Sequence, residues 1–419
     1  MDGADIASDS IVFDPLSADA IRDPFTALAP LQAEAPVYRS DILGAWVVTR
    51  YHDIRDAFRD PRLSSDRIRP FIERAPAQLQ DTLKPLGDHL NLWAVFTDPP
   101  DHTRLRGLMN RAFTTTAVQE LRPKITRIVN GLLDDIDARI VRSGSREFDL
   151  IHDFAYPLPA MVIAEMLGVP QQDVDHLKRW SDLLAQFVLT SRSNPEKYRL
   201  ASESIVEMEA YFRRFLEDHR NRGTEDVTSG LLDARDQGDQ LTTDELVSCC
   251  VLLLFAGHET TTQLLANGTR ALLEHPEQMA DLRAHLDDTD LVLNTVEEML
   301  RYDGPSISMV RVANQDFEWE GQQIARGDRL FLMMCAGNRD PRVFDDPDAF
   351  NIRRDDAKKN FTFGYGIHFC IGAPLARLEA EIAFPLLLKR FPNLRMAEDD
   401  PPWSDSILTR GMLHMKVGV

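Results

Sequence analysis

Along most of the 419-residue chain, apolar positions recur at intervals of three and four between short breaks of Pro, Gly and Asp, the period of helices that bury one face. Amphipathic helices alternate with polar breaks from residue 115 to 240, Ala117 to Val141 and Asn194 to Arg222 being two examples. The strand period appears only locally. Runs between Pro36 and Arg62, among them Ala45-Trp-Val-Val48, predict a small N-terminal sheet followed by a helix from Tyr51. Strand-like runs return at Ser306 to Ala313 and Leu330 to Ala336, and Asn338 to Phe350 has the turn chemistry of an ordered coil. Ser64 to Val95 reads as a long, proline-dotted irregular segment. Thr242-Thr-Asp-Glu245 forms a capping box, and the helical pattern it opens runs until His275-Pro276 stops it. About 32 residues at 1.5 Å each give a helix of roughly 48 Å, long enough to cross the whole protein. Further helices are predicted at Leu291 to Tyr302 and Leu375 to Lys389. The pattern predicts a mainly α chain with small β-sheets (α+β), folded as one domain over residues 1–419 with no linker or repeat.

A net charge of −20 argues against nucleic acid or an anionic membrane as the main partner. The four cysteines, Cys249, Cys250, Cys335 and Cys370, show neither C-x-x-C nor Cys/His zinc spacing, which suits a reducing, cytoplasmic compartment. Met1 to Pro15 lacks the basic and apolar runs of a signal peptide. The longest apolar run, Cys249 to Ala256, falls short of the roughly 18 residues of a membrane span.

Candidate chemistry gathers at Cys370, where a glycine-rich loop enters a helix. Backbone N–H groups and the helix dipole at such a place favour a thiolate, the form that binds a metal. Pro374 suits the first helical turn, Gly366 can take a positive φ, and Gly372 lets a flat ligand approach the backbone. The segment Phe363-Gly-Tyr-Gly366-Ile-His368-Phe-Cys370-Ile-Gly372-Ala-Pro-Leu-Ala-Arg377 resembles the haem-binding signature of the cytochrome P-450 superfamily. The resemblance implies that Cys370 is the thiolate ligand of a haem b iron, that Phe363 packs beside the loop, and that His368 donates to a haem propionate.

Three more motifs fall in the family's order. Asp98-Pro-Pro-Asp-His102-Thr-Arg-Leu-Arg106 puts His102 and Arg106 on one helix face, and the resemblance makes both of them propionate ligands, with Arg311 as a further contact. In the long helix, Ala256-Gly257-His258-Glu259-Thr260-Thr261 resembles the oxygen-binding motif. A Thr260 hydroxyl turned toward the Ala256 carbonyl would open a groove beside a ligand. The implied roles are a hydrogen bond from Thr260 to dioxygen and a proton relay through Glu259, with His258 structural. Glu298-Met-Leu-Arg301 resembles the family's buried ion pair, which supports the ligand loop, with Arg354 as a third member.

The reading is a monooxygenase that places one atom of O2 into a C–H bond, by hydroxylation or epoxidation. Its rivals are a peroxide-driven enzyme, a nitric oxide reductase, and a haem-thiolate sensor or carrier. With no nucleotide motif in the chain, electrons from NAD(P)H must come through redox partners. The resemblance suggests an acidic 2Fe-2S ferredoxin, docking on a basic patch of Arg104, Arg111, Lys358 and Lys359. The resemblance also places Leu92, Trp93, Phe187, Leu252, Leu253, Ile307, Met309 and Leu408 around the substrate. These are apolar and include no cation, so a neutral hydrophobic molecule is expected; Arg67 and Arg69 are the residues to suspect should anions bind.

Overall fold

The computed structural model describes residues 13–189, 194–220, 226–236 and 241–419. Helices dominate, and the longest spans Thr243–Glu274, as its caps predict. Thr242 Oγ1 accepts from the Glu245 N–H at 3.1 Å while the Glu245 carboxylate accepts from the Thr242 N–H at 2.9 Å. At the other end Pro276 opens the next helix, where a missing N–H costs nothing.

This helix packs against Pro157–Leu167 and Lys197–His219 before it in the chain and Thr289–Asp303 and Ala373–Arg390 after it. By length and hydropathy it would pass for a membrane span, but 72% of its most apolar window is buried in the protein. Its apolar content thus serves the core, and the eight-residue run weighed from sequence understates how far that content extends.

Five short strands form the main sheet in the order Val37–Ser40, Ala45–Val48, Arg329–Leu332, Met309–Ala313, Leu63–Ser64. Ala45–Val48 runs parallel to Arg329–Leu332, pairing Trp46 with Leu330, and the other pairs are antiparallel. A three-stranded sheet joins Glu147–Asp149, Lys416–Gly418 and Arg395–Met396. The Phe317–Trp319 and Gln322–Ile324 hairpin turns through Glu320 and Gly321, both at positive φ.

Several sequence expectations change. Ser64 to Val95 is not irregular: it holds the helices Ile68–Glu73 and Ala77–Leu90, and the second buries Leu83, Leu86 and Leu90 completely. Its prolines obscured the amphipathic period. The expected Ala117 to Val141 helix breaks at Leu121 into Thr115–Glu120 and Arg122–Ser143. Leu330 to Ala336 is a strand only to Leu332, then turns into the short helix Met334–Gly337. The expected Asn194 to Arg222 helix is observed as Lys197–His219; residues 221 and 222, like 1–12 of the N-terminal stretch, lie outside the described residues.

Candidate active site

The loop before Cys370 turns through Gly364 and Gly366, at φ +71° and +72°. At Gly366 a side chain would be strained by the backbone and crowded by the Phe58 carbonyl, 3.2 Å from a Cβ. The Cys370 N–H donates to the Phe363 carbonyl at 2.9 Å, which closes the loop before Ala373–Arg390 begins. Phe363 is held from outside by the Arg377 guanidinium, 4.6 Å from its ring centre, and Arg377 donates to Glu297.

A second brace lies behind. Glu298 and Arg301 are fully buried and form a two-point ion pair at 2.7 and 2.8 Å. Arg301 also donates to the carbonyls of Asn338, Pro347 and Ala349, and Arg354 reaches Glu298 at 3.3 Å. The network ties the Thr289–Asp303 helix to the coil from Asn338 to Arg354. Removing one partner of such a buried pair costs about 3–5 kcal/mol.

Cys370 faces a cavity of about 260 Å³, whose wall also carries Thr260, Glu259, Ala256, His102, Arg106, Arg311 and His368. Burial pushes the Cys370 thiol above its ordinary range; the N–H groups of Gly372 and Ala373 and the Arg106 and Arg377 guanidiniums oppose it without winning. The loop and helix dipole alone therefore do not yield the thiolate expected from sequence, and a cation on the sulfur would. A Cβ at Gly372 would stand 3.7 Å from the Cys370 sulfur, so a bare backbone borders that atom.

His102, Arg106, Arg311 and His368 share one stretch of wall although all are cationic or donor groups. The rings of His102 and His368 lie 4.1 Å apart, and neither nitrogen of His102 has a partner among the described residues. Burial, with Arg311, His102 and Arg106, presses His368 down to about pKa 3. The acid beside them, Asp98, is taken up by the Ser64 hydroxyl and the Ser65 N–H. Donors collected around orphaned nitrogens fit the carboxylates of an anionic group. A haem fits this donor set: the four donors would hold its two propionates and the Cys370 sulfur would ligate its iron.

Across the cavity the long helix stays continuous through the Ala256 to Thr261 motif. Thr260 Oγ1 lies 3.5 Å from the Ala256 carbonyl, a long contact, and the Ala256 methyl is bare to the cavity. Gly257 serves packing. A Cβ there would come within 2.8 Å of Ile163, so its bareness lets the Pro157–Leu167 helix approach, and the groove belongs to Ala256 and Thr260.

His258, read from sequence as structural, is buried between two carboxylates. Its Nε2 lies 3.4 Å from Glu259 and 3.8 Å from Asp182, and Asp182 accepts from the Tyr156 hydroxyl at 2.6 Å. Burial alone would lower the imidazole, but the nearby Asp182 and Glu259 carboxylates hold its pKa up at about 10. The side chains grade from Asp182, 45% exposed, through His258 at 1% to Glu259 on the cavity.

Of the expected pocket residues, Trp93, Leu252, Leu253, Met309 and Leu408 line the cavity. Leu92, Phe187 and Ile307 do not. Phe187 lines a separate outer cavity with Phe71 and Tyr198, and Ile307 faces a small one near Phe13. Arg67 does line the site cavity, so the expectation of a wall with no cation beyond the propionate group fails; Arg69 is exposed and paired with Asp66. Ser65, which bonds His368 Nε2 at 2.9 Å, was also missed, because only the fold brings it there. In the expected basic patch, Arg104 is bound by Glu245, the capping residue of the long helix, and Lys359 lies 3.8 Å from Asp356.

Residues 78–416 match the family model described as Cytochrome P450. The chain is 40% identical over 364 residues to cytochrome P450 CYP107DY1 of Priestia megaterium, covering 84% of each protein. Among solved structures it resembles P450BioI in complex with hexadec-9Z-enoic acid ligated acyl carrier protein (TM-score 0.86, 34% identity, 96% of this chain and 100% of that one). It also resembles epothilone B-bound P450epoK (TM-score 0.86, 33% identity, 97% and 98%). Motif order, site geometry and near full-length likeness agree: the chain belongs to the cytochrome P450 family of haem enzymes.

Proposed function

We propose that the protein is a cytoplasmic haem b monooxygenase that inserts one atom of O2 into a C–H bond of a hydrophobic small molecule, with electrons passed from NAD(P)H through a reductase and a ferredoxin. The observation that carries this reading is that Cys370 and the pair Thr260 and Glu259 line one cavity whose remaining wall is largely apolar. When bound through a thiolate, haem supplies the activation of dioxygen, because electron density from sulfur favours O–O cleavage.

The residues of the chain do the rest. His102, Arg106, Arg311 and His368 hold the propionates, and Phe363 with Arg377 keeps the Cys370 loop in place. Glu259 delivers protons toward the Thr260 hydroxyl and is recharged from His258 and Asp182, the solvent end of the relay. Trp93, Leu252, Leu253 and Leu408 exclude water and orient the substrate. The acid–alcohol pair favours this reading over a peroxide-driven enzyme, which needs no proton delivery, and over a sensor or carrier. The named occupants of the two solved relatives differ, so likeness to them does not choose the substrate.

With labelled dioxygen, product should carry the label. Thr260→Ala should keep haem and substrate affinity while sending reducing equivalents to peroxide. Glu259→Gln should slow turnover about a hundredfold, the scale of a lost general acid. Product from peroxide alone at the parent rate, or parent coupling in both variants, overturns the assignment.

A further inference from the structure

Arg67 is a cation without an anion. Its Nη2 donates to the Val188 carbonyl at 3.3 Å and its guanidinium lies 4.9 Å from the centre of the Phe96 ring. No carboxylate among the described residues stands within ion-pair distance of it, and the charged group it senses is another cation, Arg311. Burial pulls its pKa to about 10, so it remains charged at neutral pH. A charge in a largely apolar wall with one carbonyl and one ring for company is incompletely solvated, and a bound carboxylate would complete it.

Its place in the fold gives the lone charge a use. Arg67 and Val188 border both the site cavity and the outer cavity of about 520 Å³ that lies between the Ile68–Glu73 helix, Phe187 and the strand carrying Val310. The outer cavity also carries Arg74 and Arg329, which donate to the carbonyls of Gly327 and Leu43. Its acid, Asp328, is engaged by Trp46, the Ala325 N–H and Arg39. Seen from the outer cavity, the cations come first, then Arg67 on the wall that both cavities share, and behind that wall lies the largely apolar cavity of Thr260 and Cys370.

We infer that Arg67 anchors the carboxylate of an amphipathic acid whose apolar body extends into the cavity toward Cys370. The anchor fixes which carbon lies near the reacting centre, counted from the head group, so Arg67 governs both affinity and the position of attack. This rests on the monooxygenase reading for its consequence, but not for the binding itself.

The test uses the haem-loaded protein and a matched pair, a straight-chain carboxylic acid and the primary alcohol of the same length, with affinity read by calorimetry and by the absorbance shift. In the parent the acid should bind about tenfold or more tighter, the factor worth one partly buried ion pair. Arg67→Leu should abolish that preference while leaving the alcohol's affinity and the haem content unchanged, and Arg67→Lys should restore part of it. Equal binding of acid and alcohol by the parent overturns the inference without any variant. Loss of haem from Arg67→Leu also overturns it and assigns Arg67 to the propionates. An intact acid preference with no labelled product leaves the anchor standing and instead overturns the monooxygenase reading.

Discussion

At the scale of single residues, the site is a set of charges whose partners decide their state. Cys370 has a raised thiol pKa on the wall of the site cavity, whereas Cys249, Cys250 and Cys335 are sealed in the core, burial pushing Cys249 and Cys335 up to about 12. Cys370→Ala should therefore lose the thiolate-type spectrum of the reduced carbon monoxide complex, and Ala at each of the other three should retain it; a normal spectrum from the Cys370 variant would remove the ligand assignment. His258 offers a pH signature. Facing it are Asp182 and Glu259, with the Tyr156 hydroxyl and Lys178 behind, and its folded pKa near 10 stands above the ordinary 6.5. A raised pKa gives stability that is complete below about pH 6.5 and is lost as pH rises through about 10. Between about pH 7 and pH 9 the parent's unfolding free energy should fall faster than that of His258→Gln, by up to about 1.4 kcal/mol per pH unit. Parallel pH profiles would show that the imidazole is not held charged.

Among the elements, the approach of the long helix to its neighbour turns on one missing methyl. Gly257→Ala should destabilise the protein by about 1–3 kcal/mol through its clash with Ile163. Combined with Ile163→Ala it should cost less than the two separate effects added together, since the second change vacates the space. Strict additivity in denaturant unfolding would place the strain elsewhere. Elements of this kind were legible in the sequence where the signal is local. The capping box and His275-Pro276 bound the long helix to the residue, and the Cys370 loop could be read because its motif is contiguous, with Gly366 at the positive φ expected of it. Proline-rich Ser64 to Val95 misled, since Pro70 and Pro85 sit inside helices whose buried face is set by packing. Leu92, Phe187 and Ile307 were misplaced, and Arg67 could be named only as a suspect beside Arg69, for the same reason: which cavity a side chain meets depends on a neighbouring element remote in sequence.

For the whole molecule, the −20 charge would set the terms of the electron delivery proposed above, because an acidic ferredoxin would be repelled everywhere except at a local basic surface. The structure narrows the expected patch. Arg104 belongs to the cap of the long helix, so Arg111 and Lys358 are the test sites, and Ile367 and Phe369 stand exposed on the ligand loop, at 54% and 40%. Lys358→Glu with Arg111→Glu should slow ferredoxin association about tenfold at low salt and flatten its salt dependence. Arg104→Glu should lower the melting temperature instead, through repulsion of Glu245. Unchanged association kinetics would move the docking face elsewhere. The main sheet carries a consequence of another kind, in time. Ala45–Val48 is buried along its whole length, and one of its edges is covered only by Arg329–Leu332; the Trp46 indole N–H to Asp328 bond closes a separation of 282 residues. At roughly 5–20 residues per second, a ribosome needs on the order of 15 to 60 s to deliver the strand that covers that edge. Until then Ala-Trp-Val-Val presents an open apolar edge to whatever chain is nearby, so the yield of folded protein is governed by translation speed and by how well that edge is shielded.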